Sequence, residues 1–144
     1  EIVEAEADGP TLTYNIIGRH QSRLVRTRIS SNKSPWLAQT EVGEVYTVAI
    51  SHGEGRFICN DELMKKLIAN GQIATQYVDF DSNPTYDIHF NPNGSDMAVE
   101  GITSPDGRIL GKMGHSERIG DMLYKNVPGS YDINMFASAV KYFK

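Results

Sequence analysis

His115 and Glu117 stand two residues apart in Gly114-His115-Ser116-Glu117-Arg118. A histidine with one ring nitrogen held by a carboxylate keeps the other nitrogen free as a base, the arrangement that activates a nucleophile. Residues i and i+2 of an extended segment project from one face, so the spacing suits such a pair. The pair needs a nucleophile, and Cys59 is the only cysteine in the chain. It precedes a predicted helix start, where a thiol pKa can fall, and joining it to His115 and Glu117 makes a Cys-His-Glu triad on paper. Its neighbours Ile58 and Asn60 are not the small residues of a sharp nucleophile elbow. The expectation for Cys59 is therefore a small buried hydrophobe.

Other chemistry is thinner. His52-x-Glu54 repeats the spacing, and with His89 it offers metal-ligand types, but nothing in the sequence makes these residues converge. A substrate-shaping or structural loop is expected there, with no metal. Arg19, Arg23, Arg26 and Arg28 form a basic stretch without interleaved aromatics, which reads as a solvated strand face and not as a nucleic-acid surface.

The elements that must position these residues are mixed. Thr11 to Ile17, Ser22 to Ser30, Val45 to Ile50, Arg56 to Ile58 and Ile73 to Phe80 read as strands. Val99 to Thr103 and Arg108 to Met113 flank Ser104-Pro105-Asp106-Gly107 and predict a hairpin that delivers His115 at its end. Asn60 to Asn70 predicts an amphipathic helix with Leu63, Met64, Leu67 and Ile68 on one side, capped by Asn60 or Asp61 and stopped by Gly71. A terminal helix is expected over 130–143, and Asn91 to Ser95 reads as a loop.

Composition bounds the function classes. The chain has 144 residues, a net charge of −4 and 40% hydrophobic content, which fits one domain or part of one. That charge gives no pull toward nucleic acid or an anionic membrane, and no apolar run approaches a bilayer span. One cysteine forms no internal disulfide and fits a reducing, cytoplasmic compartment. The acidic start, Glu1 to Asp8, ends at Gly9-Pro10 and reads either as the tail of a helix from upstream or as a frayed boundary.

Five motifs in order carry a resemblance. They are Gly18-Arg19-His20-Gln21-Ser22-Arg23, Ser51-His52-Gly53-Glu54-Gly55-Arg56, Asn91-Pro92-Asn93-Gly94-Ser95, Gly101-Ile102-Thr103-Ser104-Pro105-Asp106-Gly107-Arg108, and His115-Ser116-Glu117-Arg118. Together they resemble the C-terminal part of the class I glutamine amidotransferase domain of the phosphoribosylformylglycinamidine synthase family. The resemblance implies an α/β sandwich, with a mixed sheet and few helices, spanning 1–144 as a partial domain with a truncated start at 1–10.

It also implies chemistry. The family hydrolyses glutamine with a Cys-His-Glu triad and passes ammonia to a synthetase domain. That domain uses ATP and Mg²⁺ to make formylglycinamidine ribonucleotide in purine synthesis. His115 would be the triad base and Glu117 its orienting acid. Gln21, Ser22 and Arg23 would lie near the glutamine pocket. The loops His52 to Arg56 and Asn91 to Ser95 would be pocket walls or synthetase contacts.

Three departures stand out. Ser116 occupies a position where the family carries proline. The family's glycine-flanked cysteine elbow lies upstream of every motif matched here, and Cys59 falls at the wrong place in the order. The expectation is a domain fragment inactive alone, with apolar surface available for a homodimer. The rival readings are a non-catalytic interaction module of the same fold and a self-contained cysteine hydrolase using Cys59.

Overall fold

The computed structural model describes residues 9–144, so the reading of the acidic start falls largely outside the described residues. Among the described residues, seven strands and two α-helices follow one another. They are β1 (Thr11–Thr13), β2 (Gln21–Ile29), β3 (Val45–His52), β4 (Arg56–Ile58), α1 (Asp61–Ala69), β5 (Ile73–Tyr77), β6 (Val99–Thr103), β7 (Leu110–Lys112) and α2 (Met135–Phe143).

Five strands form one sheet in the order β3-β2-β5-β6-β7, and β1 pairs with β4 in a separate ribbon. Each of these pairings is antiparallel, where a mixed sheet was expected. The reason lies in the connections. Parallel neighbours need a crossover back to the same end, whereas β2–β3 and β6–β7 are joined by returning loops.

The sheet curls until its two edges meet. Beyond β7 the chain runs on to β3, where the His115 amide donates to the Ala49 carbonyl at 2.8 Å and the two residues form an antiparallel bridge. Curling gives the sheet an inside. Val25, Val48, Ile50, Tyr77 and Ala98 pack there, with Met113 against them. Ile29, Leu37, Ala74, Ile133 and Met135 make a second cluster, where α2 covers one end. Alternation along β2 follows from this, with Val25, Thr27 and Ile29 buried between more exposed neighbours.

The helix expected over 60–70 forms as α1. The Asn60 side chain accepts from the Leu63 amide at 2.8 Å, and Gly71 follows at φ +67. Its buried residues Met64 and Leu67 join Phe57, Ile73 and Val99 in a third cluster, with Cys59 at its border. The strand expected over 11–17 stops at Thr13, because the chain turns at Asn15, whose side-chain Nδ2 donates to the Arg19 and His52 carbonyls at 3.0 and 2.7 Å. The terminal helix begins at Met135, later than expected, because residues 130–134 are engaged elsewhere: the Ser130 carbonyl accepts from the Thr47 amide at 2.7 Å.

Candidate active site

His115 is presented by a fixed backbone. Its amide is tied to β3, and its carbonyl accepts from the Arg118 amide at 3.1 Å, which closes the turn after the histidine. The turn brings Glu117 round to the ring: His115 Nδ1 lies 2.7 Å from Glu117 Oε1. The expected pairing is therefore formed.

The partner decides which nitrogen donates. Glu117 is held below its ordinary carboxyl pKa, first by a hydrogen bond from its own backbone amide and next by the His115 ring. An ionised carboxylate only accepts, so Nδ1 is the nitrogen that donates to Glu117, and in the neutral ring the lone pair falls on Nε2. Arg118 Nε lies 3.8 Å from the same carboxylate oxygen. The ring is about one-third exposed and Glu117 about half exposed, so Nε2 can meet an incoming group.

The three residues expected near a glutamine pocket divide between two faces. In β2 and β3, Leu24 lies opposite Ala49, Ser22 opposite Ser51 and Gln21 opposite His52. Because Ala49 also bridges His115, the alternation puts Ser22, Leu24, Ser51 and His115 on one face. Gln21 and Arg23 fall on the other. There Gln21 Nε2 donates to the Pro92 carbonyl at 2.5 Å, and the Arg23 guanidinium to the His89 carbonyl at 2.9 Å. They fasten a loop, while Ser22 shares the histidine's face. His20 joins that face, with Nε2 3.4 Å from Ser51 Oγ.

That loop explains two of the motifs. Asn91, Asn93 and Ser95 are fully buried, although their composition suggests solvent. Asn91 and Ser95 exchange side-chain-to-backbone hydrogen bonds at 2.9 and 3.1 Å. Ser95 Oγ accepts from the Phe57 amide at 3.1 Å, and Asn93 Nδ2 donates to Tyr77 Oη at 2.7 Å. Gly94 takes φ +75, and a Cβ there would lie 3.0 Å from that of Ile16. Asn15 grips the other motif, its side-chain oxygen accepting from the Gly55 amide at 3.1 Å. Both loops are stitched to the sheet and hold its open end.

His52 sits inside this stitching, with Nε2 3.4 Å from Asn93 Nδ2 and no partner for its buried Nδ1. Burial lowers its pKa, and the neighbouring His20 and His115 add to the effect. His89 instead pairs with Asp87 at 2.8 Å. Among the described residues, no three of His, Cys, Asp and Glu lie together in a metal-holding group.

Cys59 lies beside the cluster of Phe57, Met64 and Val99, with its thiol 3.2 Å from the Asn60 carbonyl and its amide on Asp96. Burial first, then the carboxylates of Asp96 and Asp61, push its pKa up. An activated thiol needs the opposite shift. Cys59 thus sits at the edge of an apolar cluster and is only partly buried, where a buried side chain was expected.

Sequence reasoning missed Glu100 and Lys112. Glu100 is buried inside the curled sheet, where its Oε1 accepts from the Gly114 amide at 2.5 Å and its Oε2 takes the Thr75 hydroxyl. Lys112 Nζ lies 3.3 Å from the same carboxylate. A carboxylate and an ammonium on the paired strands of a hairpin that also carries Val99 and Ile102 was the signal available.

The structure of PurLQS from Thermotoga maritima matches this fold with a TM-score of 0.69 at 25% identity, over 93% of this chain and 53% of that one. The chain thus spans about half the length of the solved chain it matches. The α/β fold with few helices is that of a glutamine amidotransferase-like domain. A family pattern described as a CobB/CobQ-like glutamine amidotransferase domain matches residues 1–143. The chain belongs to the CobB/CobQ-like glutamine amidotransferase domain family.

Proposed function

We propose that this chain is the histidine–glutamate part of the glutaminase domain of a phosphoribosylformylglycinamidine synthase. The observation that carries the reading is the His115–Glu117 hydrogen bond at 2.7 Å on a turn pinned to β3. In the proposed reaction, a cysteine thiol gives its proton to His115 Nε2 and its sulfur attacks the glutamine side-chain carbonyl. His115 then returns that proton to the leaving ammonia, and water releases glutamate from the thioester. Glu117 holds the ring in the required tautomer and stabilises the imidazolium that forms.

The nucleophile in this reading is a cysteine other than Cys59, whose thiol is disfavoured from ionising. The 144-residue chain alone is then inactive as a glutaminase, because triad members act as a unit. Ser22 lines the glutamine side of the base, and Gln21 and Arg23 shape that pocket through the loop they fasten.

The natural partner is a synthetase domain that uses the ammonia with ATP and Mg²⁺. Those cofactors belong to that domain and not to the residues described here. The exposed apolar run of Leu12, Tyr14, Ile16 and Ile17 offers a docking surface for the rest of the glutaminase domain, or for a second copy of the chain. No helix among the described residues is long and apolar enough to cross a membrane. The proposed purine-pathway role implies a cytoplasmic protein.

The test supplies glutamine labelled with ¹⁵N in its side-chain amide to the natural gene product, with ATP, Mg²⁺ and formylglycinamide ribonucleotide. Label in the amidine product supports the proposal. Glutamine turnover that never labels that product assigns the domain to another amidotransferase.

A further inference from the structure

The buried polar group behind His115 has its own logic. Lys112 Nζ donates to the Gly114 carbonyl and to Ser116 Oγ, each at 3.2 Å, so it grips the residues on both sides of His115. Its third partner is Glu100 Oε1 at 3.3 Å, and that oxygen also takes the Gly114 amide. Glu100 is in turn fixed by Thr75 on β5. The two charged side chains are almost wholly shielded, at 8% exposure for Lys112 and none for Glu100.

Burying two charges is costly, and a well-packed apolar pair would often serve stability as well. The directions of these bonds indicate what the pair does instead. The ammonium makes two hydrogen bonds and one ion pair, and both carboxylate oxygens accept. Three of the bonds end on residues 114 and 116, while none reaches the His115 ring. Room for the group is kept by glycine: a Cβ at Gly101 would lie 2.5 Å from Thr75 Oγ1 and 3.1 Å from Lys112 Cβ. One at Gly114 would lie 2.8 Å from Glu100 Oε1.

We infer that Lys112 and Glu100 are positioning residues, a charged clamp that fixes the Gly114–Ser116 backbone so that His115 faces Glu117 with its proton on Nδ1. Serine at 116 lets the turn be held by a side-chain bond to Lys112, with no ring to restrict its backbone. The inference rests on the reading of His115 as a base. Its test needs neither glutamine nor a nucleophile, so the clamp and the glutaminase reading can fail separately.

The experiment is ¹⁵N-edited spectroscopy of the histidine rings in the 144-residue chain, above pH 7. The variants are Lys112→Met/Glu100→Gln, which removes both buried charges together, and Ser116→Ala, which removes one bond and leaves the charge pair intact. Folding is followed through the Trp36 indole and His89 signals, whose hydrogen bonds go to Arg108 and Asp87 and not to the clamp. The wild-type chain should show His115 mainly as the Nδ1–H tautomer. The double variant should lower the Nδ1–H to Nε2–H ratio by about tenfold, as when a hydrogen bond to a charged acceptor is lost. Ser116→Ala should shift it in the same direction by less. A folded double variant with an unchanged ratio overturns the inference. If the double variant unfolds, an unchanged ratio in Ser116→Ala overturns it.

Discussion

The His115 amide is bonded to the Ala49 carbonyl at 2.8 Å, so one hydrogen bond both closes the curled sheet and hangs the candidate base on its rim. The ring then needs only a short turn to meet Glu117 at 2.7 Å. Replacing Glu117 by Gln keeps the shape but offers an amide where an ionised acceptor stood. In the natural gene product, Glu117→Gln should lower glutaminase kcat by about 10²–10⁴-fold with a much smaller effect on KM. Steady-state ammonia release checks this, and a pure KM effect would point to a binding role.

Cys59 should behave as an unreactive thiol. Its pKa lies above the ordinary value because of burial and two nearby carboxylates. Alkylation by iodoacetamide should be slow at pH 7 and still rising at pH 9, without an acidic plateau. Cys59→Ala should cost about 1 kcal/mol of stability, in line with an average substitution.

His52 gives the fold a pH dependence with a defined sign. Its folded pKa lies below the ordinary 6.5, chiefly through burial. As pH falls through about 6.5, the unfolded chain takes up a proton that the folded ring resists. The unfolded state then binds more protons, and stability drops as pH falls from 7 toward the folded pKa. Above about pH 7 both states are neutral and the contribution is flat. Urea midpoints at pH 7.5 and 5.5 should differ more for the wild type than for His52→Gln. Equal differences would remove His52 as the cause.

Gly114 leaves no space for a side chain, since a Cβ there would lie 2.7 Å from the Val48 methyl groups. Gly114→Ala should destabilise by about 1–3 kcal/mol, as overpacking does. It should also disturb the His115 signals. A thermal midpoint within error of wild type would show that β3 and the turn can separate freely.

What the sequence made legible follows from local rules. The α1 cap at Asn60, the stop at Gly71, the β6–β7 hairpin and the His115–Glu117 pair depend on neighbours within a few residues. The rest depends on closure of the sheet. Nothing local says that Ala49 meets His115, that Asn91 to Ser95 are buried, or that Gln21 and Arg23 turn away from the base. Glu100 and Lys112 look like surface charges until the sheet curls and places them inside. The antiparallel pairing of the strands other than β6 and β7 was hidden for the same reason, since strand order is a long-range property.

The central claim is that His115, and not Cys59, belongs to the glutaminase machinery. Ammonia release from glutamine by the natural gene product, compared among wild type, His115→Asn and Cys59→Ala, tests it most directly. The account predicts that His115→Asn loses about 10²–10⁴-fold in kcat while Cys59→Ala stays close to wild type. Full activity in His115→Asn, or loss of activity in Cys59→Ala with the fold intact, would contradict it.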